Sequence, residues 1–127
     1  MLTKDQIKAA NDRPREFLPI PEWCPSDQTF DPNTHGVWVG TMSGKDRDSY
    51  ESELLRRKGP DEHANLVNLR ATLAVRTVQD KDGNRLFTDA DAEWLGDKAA
   101  GPLSAIFNIA VRLNRLRNED VEELTKN

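Results

Sequence analysis

The chain has 127 residues, 18 of them basic and 22 acidic, with a formal net charge of −4 and one cysteine. That length fits one domain with its own core, and interleaved charges argue against nucleic acid as the main ligand, since neutralising phosphates needs clustered Lys and Arg. A lone Cys24 excludes an internal disulfide, nothing approaches the roughly 20 apolar residues of a membrane span, and no apolar run follows Met1 to Gln6, so a soluble, cytoplasmic protein is expected.

Thr3 and Gln6 have the spacing of a capping box, which predicts a short helix ending near Ala10. Residues 11–36 hold five of the seven prolines (Pro14, Pro19, Pro21, Pro25, Pro32). Proline lacks a ladder donor and restricts its predecessor, so this stretch reads as an extended arm. Phe17, Leu18, Ile20 and Trp23 are the residues that can pin it as an edge strand. Val37, Trp38 and Val39, between Gly36 and Gly40, make the best strand in the chain. From Ser43, with Asp46 at capping distance, a helix is predicted to about Lys58, stopped by Gly59 and Pro60. Its apolar stripe is thin (Tyr50, Leu54, Leu55). Arg56, Arg57 and Lys58, the nearest thing to a basic patch, read as cations at a helix C-terminus.

A core helix is expected from Asp61 to about Val78, with Leu66, Val67, Leu69, Leu73, Ala74 and Val78 over more than half its circumference. Asn65, Asn68, Thr72 and Arg76 take the remainder. Arg70 falls inside the apolar arc, either snorkelling over apolar surface or paired with a carboxylate from the acidic segment after it. Asp82 and Gly83 signal a tight turn. Thr88 with Asp91 then caps a short helix, with Trp94 and Leu95 on its inner side and Gly96 at its end.

A long helix is predicted from Pro102 to Arg117. Leu103, Ile106, Phe107, Ala110 and Val111 form one stripe, Ile109, Leu113 and Leu116 a second beside it. An arc that wide is expected to be buried on two sides, within the domain or against a partner. Asn114 sits near its middle, where its amide should bond backbone groups at the helix exit. Asn118 caps a last helix. The fold class expected is α+β and mainly helical: a short helix and proline-rich arm over residues 1–35, then four to five helices packed after a short strand or hairpin over residues 36–127.

Chemistry is sparse. A calcium loop aligned on Gly83 places Asp80 and Asp82 correctly but puts Val78 at the first ligand position and Asp89 at the last. A plain turn explains the segment better. His35 and His63 have no metal-spaced neighbours, Cys24 has no nearby base in sequence, and Asp89 and Asp91 are explained by a capped first turn. There is no phosphate loop or nucleophile motif, so neither enzyme activity nor a cofactor is expected.

Several segments together resemble one family. They are Gly40 to Glu51 (GTMSGKDRDSYE), Asn68 to Leu73 (NLRATL), Asp80 to Asp91 (DKDGNRLFTDAD), Arg112 to Leu116 (RLNRL) and Glu119 to Asn127 (EDVEELTKN). In order and spacing, over roughly residues 36–127, they resemble the tail assembly chaperones of long-tailed bacteriophages. The sequence departs from that pattern where Cys24 to Gly36 separate the Pro21-Glu22-Trp23 step from the strand. The resemblance implies a non-virion protein of the host cell cytoplasm. It would bind the tape measure protein, keep it soluble, help recruit tail tube subunits, and be displaced as the tube grows. Ile109, Arg112, Leu113 and Leu116 are then the expected partner surface, or a self-association surface, with Leu103, Phe107 and Val111 packing inward. The competing readings are another tail protein, such as a completion or connector subunit, and a small DNA-binding regulator. Net acidity counts against the latter.

Overall fold

In a computed structural model, which describes residues 1–57 and 68–116, the run Val37 to Val39 lies in the middle strand of a three-stranded antiparallel sheet. The strands are β1 (Arg15–Pro19), β2 (Gly36–Gly40) and β3 (Val78–Gln79), in the order β1-β2-β3. β1 pairs with β2 from Arg15 opposite Gly40 to Pro19 opposite Gly36, so the pairing crosses the boundary expected at residue 35. The arm is thereby pinned as an edge strand, and Pro14 and Pro19 leave little free edge on which a foreign strand can pair. His35 closes the intervening loop. Its Nδ1 accepts the Asp31 N–H at 2.8 Å, its Nε2 lies 2.8 Å from Gln28 Oε1, and its carbonyl accepts the Ile20 N–H.

Strand alternation divides the sheet into two faces. Leu18, Val37, Val39 and Val78 turn toward the helices, and Val39 and Val78 are fully enclosed. Arg15, Phe17, Trp38 and Gln79 share the other face. There Phe17 meets Trp38 edge-on, centroids 5.4 Å apart, and the Arg15 guanidinium lies 4.2 Å above the Trp38 ring. Arg15 also donates to the carbonyls of Asp80 and Lys81, tying the edge strand to the turn after β3.

The described residues form five α-helices: α1 (Lys4–Ala9), α2 (Gly44–Arg57), α3 (Leu69–Thr77), α4 (Ala92–Leu95) and α5 (Ala100–Leu113). The fold is α+β and mainly helical. The Thr3–Gln6 capping box of α1 is formed, and Ser43 Oγ accepts the Asp46 N–H at the start of α2. On α2, Tyr50 is buried, Leu54 half-buried and Leu55 exposed, which makes the thin stripe thinner still.

α3 is the centre of the molecule, in contact with α2, α4, α5 and β2. Every residue from Ala71 to Val78 is buried, and this corrects two expectations. Thr72 and Arg76, read as a polar face, are enclosed, and Arg70, read as part of the apolar arc, is exposed. The cause is local: Asn68 takes the left-handed conformation (φ 58°), so this helix starts at Leu69 and is walled in on all sides. Residues 61–67, with Asn65, Leu66 and Val67, lie outside the described residues.

Burial obliges the polar groups of α3 to find partners. Thr77 Oγ1 donates to the Leu73 carbonyl at 2.9 Å, and Thr72 Oγ1 accepts from Arg57 Nη2 at 2.8 Å. Arg76, 7 % exposed, reaches Ser49 Oγ and lies 3.5 Å from the Asp89 carboxylate, with the Tyr50 ring 6.0 Å away. The pairing with the acidic segment considered for Arg70 thus belongs to Arg76.

After β3 the chain makes a plain turn. Asp80 Oδ1 accepts the N–H groups of Asp82 and Asn84, and Gly83 supplies the positive φ (88°). Thr88 and Asp91 form the expected capping box on a 3-10 turn (Asp89–Asp91) that leads into α4. The tighter turn changes the helical phase, so Leu95 is buried and Ala92 packs against the core. Trp94, expected beside it, is 48 % exposed. Its Nε1 donates to Asp91 Oδ1 at 2.8 Å and its ring meets Phe87 edge-on at 5.8 Å.

Asp89 carries a testable consequence. The hydrogen bond from Arg85 (2.6 Å), helped by the nearby Arg76 charge, holds its carboxyl below the ordinary aspartate range. A lowered folded value stabilises the fold above the unfolded value of about 3.9, and the contribution disappears as pH falls through the lower folded value. Asp89→Asn is therefore expected to lower the urea midpoint at pH 7 but not in acid below that folded value. An equal loss at both pH values contradicts this assignment.

Candidate functional site

Helix α5 begins two residues before the expected Pro102, which sits in the first turn where a missing N–H costs nothing. It ends four residues before the expected Arg117. Arg115 turns left-handed (φ 52°), its N–H donating to the Arg112 carbonyl and the Leu116 N–H to that of Val111. This bond pair is a Schellman stop, which folds the residue after the left-handed one back against the helix. Leu116 is that residue. It is 8 % exposed and belongs to the core with Leu103, Ile106 and Ala110.

Leu116 is therefore removed from the expected partner surface: beyond the helix end it points inward, whatever a continuous helical wheel suggests. Ile109 is half-buried and packs against the core, as do Phe107 and Val111, while Leu103 is buried as expected. Arg112 is exposed and pairs with Glu16 of β1 at 2.7 Å, worth at most ~1 kcal/mol in solvent. Of the second stripe, Leu113 is the residue that lines an open depression.

That depression is a groove of about 460 Å³ between the end of α5 and the passage from β2 into α2. Pro14, Met42 and Leu113 supply its apolar lining. Arg47, Arg115, Thr41, Ser43 and Asp12 supply polar groups around it. One buried side chain fixes its shape. Asn114 Oδ1 accepts the Met42 N–H at 2.7 Å, and its Nδ2 donates to the carbonyls of Gly40 (3.1 Å) and Ala110 (2.9 Å). Its backbone carbonyl accepts from Arg47 Nη1 at 2.8 Å, which satisfies one of the carbonyls a helix C-terminus leaves open. Thr41 Oγ1 donates to the Pro14 carbonyl at 2.6 Å, drawing the arm alongside. The backbone role expected of Asn114 at the helix exit is what this geometry shows.

The groove offers a mixed lining, in which Pro14, Met42 and Leu113 supply apolar surface among hydrogen-bonding groups. Among the described residues no three His, Cys, Asp or Glu side chains converge as a metal site, and no helix is long and apolar enough to cross a membrane. Sequence reading missed Met42 and Arg47 as groove residues. The signal available was the capped helix start at Ser43, which had to be brought beside the RLNRL segment by tertiary contact. No protein family model, no curated protein and no solved structure matches the chain.

Two substitutions test this corner. Asn114→Ala strands the buried Met42 N–H and Gly40 carbonyl, which should cost about 3 kcal/mol in chemical denaturation. A loss under about 1 kcal/mol would mean water replaces the amide. Arg115→Gly should stabilise by about 0.5 kcal/mol, because relief of the left-handed penalty exceeds the added chain entropy of glycine. Destabilisation by this variant would show that the Arg115 side chain holds the corner.

Proposed function

We propose that this chain is a tail assembly chaperone of the long-tailed bacteriophage type. It acts in the host cell cytoplasm, where it binds the tape measure protein, keeps it soluble and helps recruit tail tube subunits before being displaced. The observation that carries the reading is a convergence. Two segments that bear the family resemblance, GTMSGKDRDSYE and RLNRL, lie far apart in sequence yet meet at the groove through the Met42 N–H to Asn114 Oδ1 bond and the Arg47 to Asn114 carbonyl bond. Two of the five segments that carry the likeness thus contribute to the groove.

The chemistry is consistent with the task. A tape measure protein is a long helix with apolar stripes, and shielding it requires an apolar receptor on the chaperone. Displacement during tube growth requires modest affinity per copy. One half-buried leucine in a shallow groove gives a weak individual contact, and many copies along one rod add avidity. Leu113 is the central contact in this reading. Ile109 lies one turn before it on α5 and Arg112 immediately beside it.

Co-expression with the tape measure protein tests this. Leu113→Asp is expected to reduce co-purification at least about tenfold, the loss of one buried leucine contact, with circular dichroism and melting temperature held near wild type. Leu116→Asp puts a charge in the core and should destabilise the chain itself by roughly 4 kcal/mol. Unchanged recovery of the partner with folded Leu113→Asp protein would refute the groove as the receptor.

A further inference from the structure

Helix α1 has the local signals of a specified helix but little packing against the other described elements. Thr3 and Gln6 complete the capping box, yet none of the residues Lys4–Ala9 is buried. Leu2 and Ile7 occupy the two positions of a hydrophobic staple, the residue before the cap and the fourth residue of the helix. They remain 70 % and 61 % exposed. So short a helix is marginal in water unless its ends are secured, and here the N-terminus is secured while the apolar side is left exposed. Lys4 and Lys8 lie about 60° and 100° around the helix from Ile7, whereas Asp5 is on the far side. The element is a preformed apolar knob with a basic flank.

A surface of opposite character lies elsewhere on the same chain. Trp94 and Leu86 are about half exposed, and the Trp94 ring rests edge-on against Phe87, which is anchored on the core. Carboxylates border these rings. Asp91 holds the indole N–H, and Glu93 and Asp97, both exposed, make no ion pair among the described residues. Asp91 accepts from Trp94 Nε1 and the Thr88 N–H, which keep its carboxyl charged below the ordinary range. The indole is therefore fixed in orientation by Asp91, with Glu93 and Asp97 as acidic neighbours and the exposed Lys98 beside them.

We infer that the occupant of the Trp94 platform is α1 of a second copy of this chain, with Leu2 and Ile7 against Trp94, Phe87 and Leu86, and with Lys4 and Lys8 facing Glu93 and Asp97. Knob and platform are complementary in both polarity and charge, and both are uncovered. Each copy carries one of each, so the contact either closes as a two-fold pair or runs head to tail. The interface is small, which makes the association weak and reversible. None of its contact residues lines the Leu113 groove, so self-association and tape measure binding can be tested by different substitutions.

Sedimentation velocity on the full chain over a concentration series tests the contact. Wild type is expected to associate as concentration rises, and Ile7→Asp or Trp94→Asp to weaken that association at least about tenfold. Ile7 is largely exposed and Trp94 about half exposed, so the melting temperature of each variant is measured and Ile7→Asp is the variant expected to leave it unchanged. A charge swap identifies the partners. Lys4→Glu with Lys8→Glu should be monomeric alone, as should Glu93→Lys with Asp97→Lys. A mixture of the two variants should associate again, because every α1 then meets a platform of opposite sign. A wild-type chain that stays monomeric throughout overturns the inference, including the case in which α1 docks on its own chain. So does association that Ile7→Asp leaves unmoved, or failure of the swapped pair to recover.

Discussion

The arrangement turns on the amide of Asn114. It bonds to two backbone groups where the chain leaves the sheet, the Met42 N–H and the Gly40 carbonyl, and adds a second bond to the Ala110 carbonyl, which already accepts the Asn114 backbone N–H. A buried backbone group without a partner costs about 1–3 kcal/mol, so the side chain answers for several kcal/mol of potential penalty at one point. Through it, strand β2, the start of α2 and the end of α5 are held in a single register. An aspartate lacks the two donors and a leucine lacks every polar atom, so neither reproduces this set of bonds.

Around that corner, buried polar groups and apolar surface divide the labour. α3 keeps its buried polar residues by giving each a partner: Thr72 with Arg57 and Arg76 with Ser49 and Asp89 on other elements, Thr77 with its own preceding turn. Leu116 folds inward under the Schellman stop and completes the core beside α5. Among the described residues, the apolar surface left outside includes the groove at Leu113, the Trp94 platform, the α1 knob and Leu55.

Signals local to a few residues were legible in the sequence. The capping boxes at Thr3 and Thr88, the strand at Val37 to Val39, the start of α2 at Ser43 and the turn at Gly83 each depend on neighbours within about four positions, and each is where its residues indicate. The backbone role of Asn114 was legible for the same reason, since the last turn of a helix offers open carbonyls. Illegible were the places where a residue adopts a conformation that its type does not announce. Arg115 is left-handed without being glycine, so the end of α5 carried no stop signal and Leu116 was assigned to the wrong side. Asn68 resets the start of α3, which exchanged the roles read for Arg70 and Arg76. The 3-10 turn before α4 rotated Trp94 outward. The groove itself depends on contacts between residues some seventy positions apart, and no periodicity encodes those.

The central claim is that the corner organised by Asn114 receives the partner helix. Hydrogen–deuterium exchange on the full chain, alone and with the tape measure protein, tests it most directly. Exchange is expected to slow most at residues 41–47 and 110–116, on both sides of the groove. Slowing confined to other segments, with those two unchanged, would contradict it.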